Sequence, residues 1–230
     1  FKNSTTETTS SDSSSSSIKG LKCNTEMIIS GGEFVIDSED DSIHTNGSVN
    51  ISGGTFSLSS GDDGIHADEL VQIDNGTITI NKCYEGIESA VININGGDIS
   101  VTSSDDGLNA SDGSTPSLNI NGGKVYVNAS GDGLDSNGTM SISGGEVIVE
   151  GPTTSGNTAL DFERSMTITG GTDATNSALI SWLEANATQQ AVSTKVSVDL
   201  TTLTGWSSLS GGSHSITIVA KADGYRDSEP

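Results

Sequence analysis

Positive charge is scarce in this 230-residue chain: nine Lys and Arg stand against 31 Asp and Glu, a net charge of −22. That balance excludes the phosphate contacts through which proteins hold nucleic acid, and adhesion to anionic membrane surfaces. It suits cation binding. No apolar run approaches the roughly 18 residues of a membrane-spanning helix, so no membrane insertion is expected. The two cysteines, Cys23 and Cys83, permit one disulfide but no disulfide framework. Proline (three) and aromatics (4%) are few, whereas the 29 glycines sit among abundant Ser, Thr and Asn. Such a composition disfavours a helical globule and favours β-structure with many turns. The chain starts at Phe1 and carries no signal peptide, as expected of a mature or trimmed product. It reads as an exported protein whose leader is missing, either secreted or on the cell surface.

Residues 1–17, FKNSTTETTSSDSSSSS, have almost nothing to bury and read as a disordered segment or tether. An internal repeat follows. Glycine pairs stand at Gly31-Gly32, Gly53-Gly54, Gly96-Gly97, Gly122-Gly123, Gly144-Gly145 and Gly170-Gly171, with Asn75-Gly76 filling the gap. Successive spacings are 22, 22, 21, 26, 22 and 26, the long ones containing the insertions SDGSTP (Ser111–Pro116) and GPTTSGN (Gly151–Asn157). Around each pair, apolar residues alternate with polar ones: Val49 and Ile51 before, Phe56 and Leu58 after, then an acidic turn and Ile65. Each repeat is thus two short strands and a third, shorter one.

Such a unit cannot bury its apolar side alone, but stacked copies can, with Ile over Ile over Val in each column. The fold expected is all-β: a right-handed parallel β-helix over residues 18–171, about seven turns of about 22 residues, with a small C-terminal extension. A sandwich of hairpins would give frequent turns but not five apolar columns in register. The glycine pairs mark the corner between first and second strands, where positive φ is expected. The pattern fades after Gly171. Residues 172–191 read as a capping segment with a short helix, Leu179, Ile180, Trp182 and Leu183 closing the core. Residues 192–230 read as strands resembling part of an immunoglobulin-like surface module. Either they are a fragment of such a module, or they pair with the solenoid or with a neighbouring chain, and the last would make a fibre.

The acidic turns carry the chemistry. Aligned on the third-strand apolar residue they read EDDSIH, GDDGIH, CYEGIE, SDDGLN, SGDGLD and GNTALD. Two positions before Ile or Leu stand Asp41, Asp63, Glu85, Asp106, Asp132 and Thr158; three before stand Asp40, Asp62, Tyr84, Asp105, Gly131 and Asn157. Just after stand His44, His66, Glu88, Asn109, Asp135 and Asp161. In a solenoid these become ladders with rungs about 5 Å apart, where like charges repel and raise one another's pKa. A dication removes that cost, and oxygen ligands at this density favour Ca²⁺, with turn carbonyls left accessible by the glycine after each acidic pair. One such turn alone is an ordinary solvated Asp-Gly turn; five in register argue for metal. The candidate ligands are Asp40, Asp41, Asp62, Asp63, Glu85, Glu88, Asp105, Asp106, Asp132, Asp135 and Asp161. Two histidines in separate coils are a weak signal for zinc.

The runs GDDGIHAD, YEGIES, SSDDGLNAS and SGDGLDSNG, leading into I-x-GG strands, resemble a family of bacterial surface β-helix proteins that bind calcium and carbohydrate, with cellulose and acidic plant polysaccharides such as polygalacturonate as ligands. The resemblance covers about residues 18–171, with YEGIE falling in order between DDGIHA and DDGLNA. It implies calcium ions along one edge of a right-handed helix, held by Asp62, Asp63, Glu85, Glu88, Asp105, Asp106, Asp132 and Asp135. Ser42 in place of glycine and everything after Thr172 depart from it.

Three functions follow as expectations. The first is a non-catalytic, calcium-dependent binder of polysaccharide. The second is a structural surface or filament subunit that self-assembles. The third, a polysaccharide lyase or hydrolase, fits least. A lyase needs a base near its calcium, yet Arg164 and Arg226 lie outside the acidic column and Lys82 is the nearest lysine. A hydrolase needs an acid and a base in distinct surroundings about 5–9.5 Å apart, which equivalent repeated pairs do not resemble. Tyr84 and Tyr126, or the polar ladder Asn50, Gln72, Asn93 and Asn119, are the residues suited to contact sugar.

Overall fold

Side chains alternate across a strand, so the apolar member of each pair turns inward and its polar neighbour outward. The computed structural model, which describes residues 18–111, 113–152, 155–169 and 218–221, stacks these strands in parallel. The first coils hold β1 (Leu21–Cys23), β2 (Glu26–Asp37), β3 (Ile43–Thr45), β4 (Ser48–Ser59), β5 (Ile65–Ile73) and β6 (Thr77–Lys82). The middle coils hold β7 (Ile87–Ile94), β8 (Asp98–Ser103), β9 (Leu108–Ala110), β10 (Ser117–Ile120) and β11 (Lys124–Ala129). The last hold β12 (Leu134–Ser136), β13 (Thr139–Ile142), β14 (Glu146–Glu150), β15 (Ser165–Ile168) and β16 (Ile218–Lys221). The result is a parallel β-solenoid of about seven turns, with no helix among the described residues.

The expected columns form in the expected register. Val49 pairs with Val71, Val71 with Ile92, Ile92 with Leu118 and Leu118 with Met140, and all five are buried. On the second face Phe56, Ile78, Ile99, Val125 and Val147 align, and the Phe34 ring stacks on Phe56 at 4.8 Å. The third face carries Ile43, Ile65, Ile87, Leu108 and Leu134, each fully buried. Burying one such side chain contributes about 1.5–3 kcal/mol, so the columns are the main source of stability. At the corner, Gly54 and Gly123 have φ of +115° and +82°, the left-handed conformation that the glycine pairs foretold.

The glycine after each acidic pair has a different reason from the one read in the sequence. Its carbonyl is not left open: Ile65, Ile87 and Leu108 donate their N–H to the carbonyls of Gly86, Gly107 and Gly133. What the position lacks is room. A Cβ on Gly107 would lie 2.2 Å from Val127 Cγ1 and 2.4 Å from Gly133 O. Gly107→Ala is therefore expected to cost about 1–3 kcal/mol by overpacking. Thermal unfolding should register it as a fall of roughly 2–12 °C.

Where the first-face strand β15 would lead to a seventh second-face strand, Ile218–Lys221 pairs in parallel with β14, Val147 opposite Ile218. The C-terminal pairing that the sequence left open is thus made within the chain by this strand. The tether 1–17 and the capping segment 172–191, with its predicted helix, lie outside the described residues. Both thiols are free: Cys23 Sγ lies 3.3 Å from Thr45 Oγ1, and Cys83 is buried.

Candidate functional site

The third-strand ladder fixes the acidic turns. Because Ile43, Ile65, Ile87, Leu108 and Leu134 stack, the residues just after them stack too: His44 on His66, His66 on Glu88, Glu88 on Asn109, Asn109 on Asp135. Leu134 bridges to Leu160, which brings Asp161 next in line.

The column two places earlier does structural work that sequence reasoning missed. Asp41 Oδ1 accepts the N–H of Asp63 (3.1 Å), and Asp63 Oδ1 accepts that of Glu85 (3.2 Å). Asp106 Oδ1 accepts the N–H of Asp132 (2.6 Å), and Asp132 Oδ1 accepts that of Thr158. One carboxylate oxygen of each of these four thus bonds the next coil's amide, while the other faces Lys19 and His44 at Asp41, His66 at Asp63, and the carboxyl cluster at Asp106 and Asp132. The signal was present in the sequence: a short carboxylate recurs at a turn position whose amide needs an acceptor.

The outer column is more exposed. Asp62 is exposed, and burial of its carboxyl together with the charges of Asp63 and Asp41 raises its pKa. Asp105 lies beside Asp106, and Gly131 gives both room: a Cβ there would lie 2.5 Å from Asp105 Oδ1 and 2.3 Å from Asp106 Oδ1.

Two ends of the ladder differ electrically. At the N-terminal end, Lys19 Nζ lies 3.1 Å from Asp40 Oδ1 and 2.5 Å from Asp41 Oδ2. His44 Nδ1 lies 2.8 Å from Asp41 Oδ2, and the two imidazoles meet edge to face at 4.9 Å. Lys19 is thus the chain's own cation for Asp40 and Asp41, standing two places before Leu21 as Asp41 stands before Ile43, while burial lowers the pKa of His44. His66 is raised to about 9, first by its hydrogen bond to Asp63 and then by Glu88 and Asp41, against the opposing effect of burial.

At the C-terminal end carboxylates face carboxylates. Oxygens of Asp106, Asp132 and Asp135 all lie within 4.8 Å of one another. Burial, then the charges of Asp106, Asp132 and Asp161, pushes Asp135 up to about 7. Burial also lifts Asp132 to about 6, with Asp106 and Asp161 adding to it. In the coil between the two ends, Glu85 rises to about 8 through burial and then Glu88 and Asp63, and Glu88 to about 7 through burial. Asp161 is exposed, and its charge acts on both Asp132 and Asp135.

Among the described residues, two buried side-chain oxygens lack a hydrogen-bond partner, and one of them is Asn109 Oδ1. Asn109 is 7% exposed, sits between Glu88 and Asp135 in the column, and donates through Nδ2 to Glu85 Oε2 at 3.1 Å. An orphaned buried acceptor is costly, by about 1–3 kcal/mol. Surrounded by raised carboxyls, it fits a bound cation. Oxygen donors alone make this end suited to a hard dication such as Ca²⁺.

The residues suited to sugar divide. Asn50, Gln72, Asn93 and Asn119 form one outward column, where Asn119 Nδ2 donates to Asn93 Oδ1 at 2.9 Å. Tyr126 donates its hydroxyl to Glu150 at 2.6 Å. Tyr84 is 48% exposed and stands in the outer acidic column, its hydroxyl hydrogen-bonded to Asp105.

A family model described as carbohydrate-binding domain-containing protein matches residues 2–64, 62–107 and 92–226. The matched segments overlap and extend beyond residues 18–171, the stretch that carried the sequence resemblance, at both ends. No curated protein and no solved structure matches the chain.

Proposed function

From the premise that the chain belongs to the family of carbohydrate-binding domain-containing proteins, we propose that it is a non-catalytic, calcium-dependent binder of acidic polysaccharide, acting outside the cell or at its surface. The observation that carries this reading is the orphaned Asn109 Oδ1 among clustered carboxyls whose pKa values are raised by burial and then by one another's charge. Glu85, Asn109, Asp105, Asp106, Asp132 and Asp135 are the residues that would hold calcium there. The ion supplies the positive charge that a chain of net charge −22 lacks when it meets a polyuronate. Exposed Tyr84 beside Asp105 offers a ring face to a sugar next to that charge.

Binding to immobilised polygalacturonate tests the reading. Retention is expected with calcium and loss with chelator, and Tyr84→Ala should weaken retention at saturating calcium without changing calcium affinity. Retention unaffected by chelator would overturn calcium dependence. Release of unsaturated or reducing sugar from the polymer would overturn the non-catalytic assignment.

A further inference from the structure

The N-terminal end of the ladder carries a different donor set from the oxygen-only end. Three atoms converge around His66. Its Nδ1 lies 3.2 Å from Asp63 Oδ2 and 3.3 Å from Glu88 Oε2, and ligand atoms of all three residues fall within 4.8 Å of one another. A tetrahedral ion with bonds of about 2.0–2.1 Å holds neighbouring ligand atoms about 3.3 Å apart. The two measured separations match that edge.

The far side of each group is held by something else. Asp63 Oδ1 accepts the N–H of Glu85 at 3.2 Å. Glu88 Oε1 accepts the Ser111 hydroxyl at 3.0 Å. His66 Nε2 faces Asp68 Oδ1 at 3.5 Å. A carboxylate behind the second ring nitrogen is the arrangement that orients metal-bound histidines and fixes their tautomer. The atoms turned toward one another, Asp63 Oδ2, His66 Nδ1 and Glu88 Oε2, are the three that converge, with His66 hydrogen-bonded to Asp63 in the metal-free chain.

We propose that Asp63, His66 and Glu88 form a site for a divalent transition-metal ion of the zinc type, separate from the calcium-suited rungs beyond it. An imidazole with two carboxylates favours such an ion over Ca²⁺, which prefers six to eight oxygens at longer distance. Asp41 does not complete the set: its Oδ2 lies 3.9 Å from His66 Nδ1 and is already held by Lys19 and His44. The fourth position is open to water. His66 and Glu88 are each 20% exposed at the side chain, so an ion can enter from solvent. His66 stacks on His44 through the ladder register, as the alignment of the acidic turns led one to expect.

The metal-stripped 230-residue chain, titrated with Co²⁺, provides the test. The intense visible absorption of a four-coordinate Co²⁺ centre is expected, displaced by Zn²⁺ but not by a large excess of Ca²⁺. His66→Gln should abolish the absorption and weaken Zn²⁺ binding at least about tenfold, whereas Asp135→Asn should leave both unchanged. X-ray absorption on the unmutated zinc-loaded protein should reveal imidazole scattering, a readout independent of how the variant folds. Displacement of Co²⁺ by Ca²⁺, a weak six-coordinate spectrum, or zinc without imidazole scattering would each overturn the proposal. Calcium binding by His66→Gln is expected to match wild type, so the outcome here separates from that of the calcium reading.

Discussion

Chelating the calcium-loaded protein near pH 8 is expected to lower its melting temperature by roughly 5–11 °C. One site held at a hundred times its dissociation constant contributes about 2.7 kcal/mol, and about 1 kcal/mol moves the melting point of a chain this size by roughly 2–4 °C. The effect must depend on pH. Glu85, Glu88, Asp135 and Asp132 rise to about 8, 7, 7 and 6 in the folded chain, against about 4 in the unfolded one. Between those limits the folded state binds more protons than the unfolded state, so metal-free stability falls as pH rises from about 4 to about 8. His66, raised to about 9, acts in the same direction: its contribution is full below its unfolded value near 6.5 and is lost as pH rises through 9. On the proposed reading, bound calcium displaces these protons and removes the repulsion. Melting curves with and without chelator should therefore converge toward pH 5 and separate toward pH 8.

Asp135→Asn is expected to move two quantities in opposite directions. Asp135 is half-buried among Asp106, Asp132 and Asp161, and every charge named as acting on it raises its pKa. Its neutral isostere removes a like charge from the cluster, so the metal-free variant should melt at or above the wild-type temperature near pH 8. The same change removes a ligand, so calcium affinity should fall at least about tenfold, an order set by the loss of even outer-shell metal partners. Asp106→Asn is a useful contrast. Its Oδ1 bonds the Asp132 amide at 2.6 Å, a contact the Asn carbonyl can keep. Asp106→Ala leaves that amide unpaired and should cost about 1–3 kcal/mol whether or not calcium is present. The bond that the Asp135 carboxyl accepts from the Ser136 amide can be kept by the Asn carbonyl, so a metal-free Asp135→Asn protein that melts well below wild type would mean that the charge itself is stabilising, and the charge argument would fail.

The solenoid was legible because its signal is arithmetic. Glycine pairs at near-constant spacing and five alternating apolar positions per repeat leave little choice of register, and the pairing of Val49, Val71, Ile92 and Leu118 follows from counting. The membership of the acidic columns was legible for the same reason. Their partners were less so. Lys19 enters the cluster from the coil before the first acidic turn, and Asn109 reads as one more polar residue until burial strands its carbonyl oxygen. The glycine after each acidic pair suggested an open carbonyl, whereas packing against Val101, Val127 and Val149 explains it. Composition could not reveal that, because the constraint lies in the adjacent coil. The pairing of Ile218–Lys221 with β14 likewise spans about seventy residues and has no local signature.

Calorimetric titration of Ca²⁺ into metal-stripped protein near pH 7 distinguishes most directly between a cation site at the C-terminal rungs and a solvated acidic edge. Run in two buffers of different ionisation enthalpy, it should give saturable binding with a buffer-dependent heat, because protons leave Glu85, Asp132 and Asp135 as calcium enters. Both the binding and the proton release should be lost in an Asp106→Asn, Asp135→Asn double variant. No saturable heat, or equal binding by the double variant, would contradict the account.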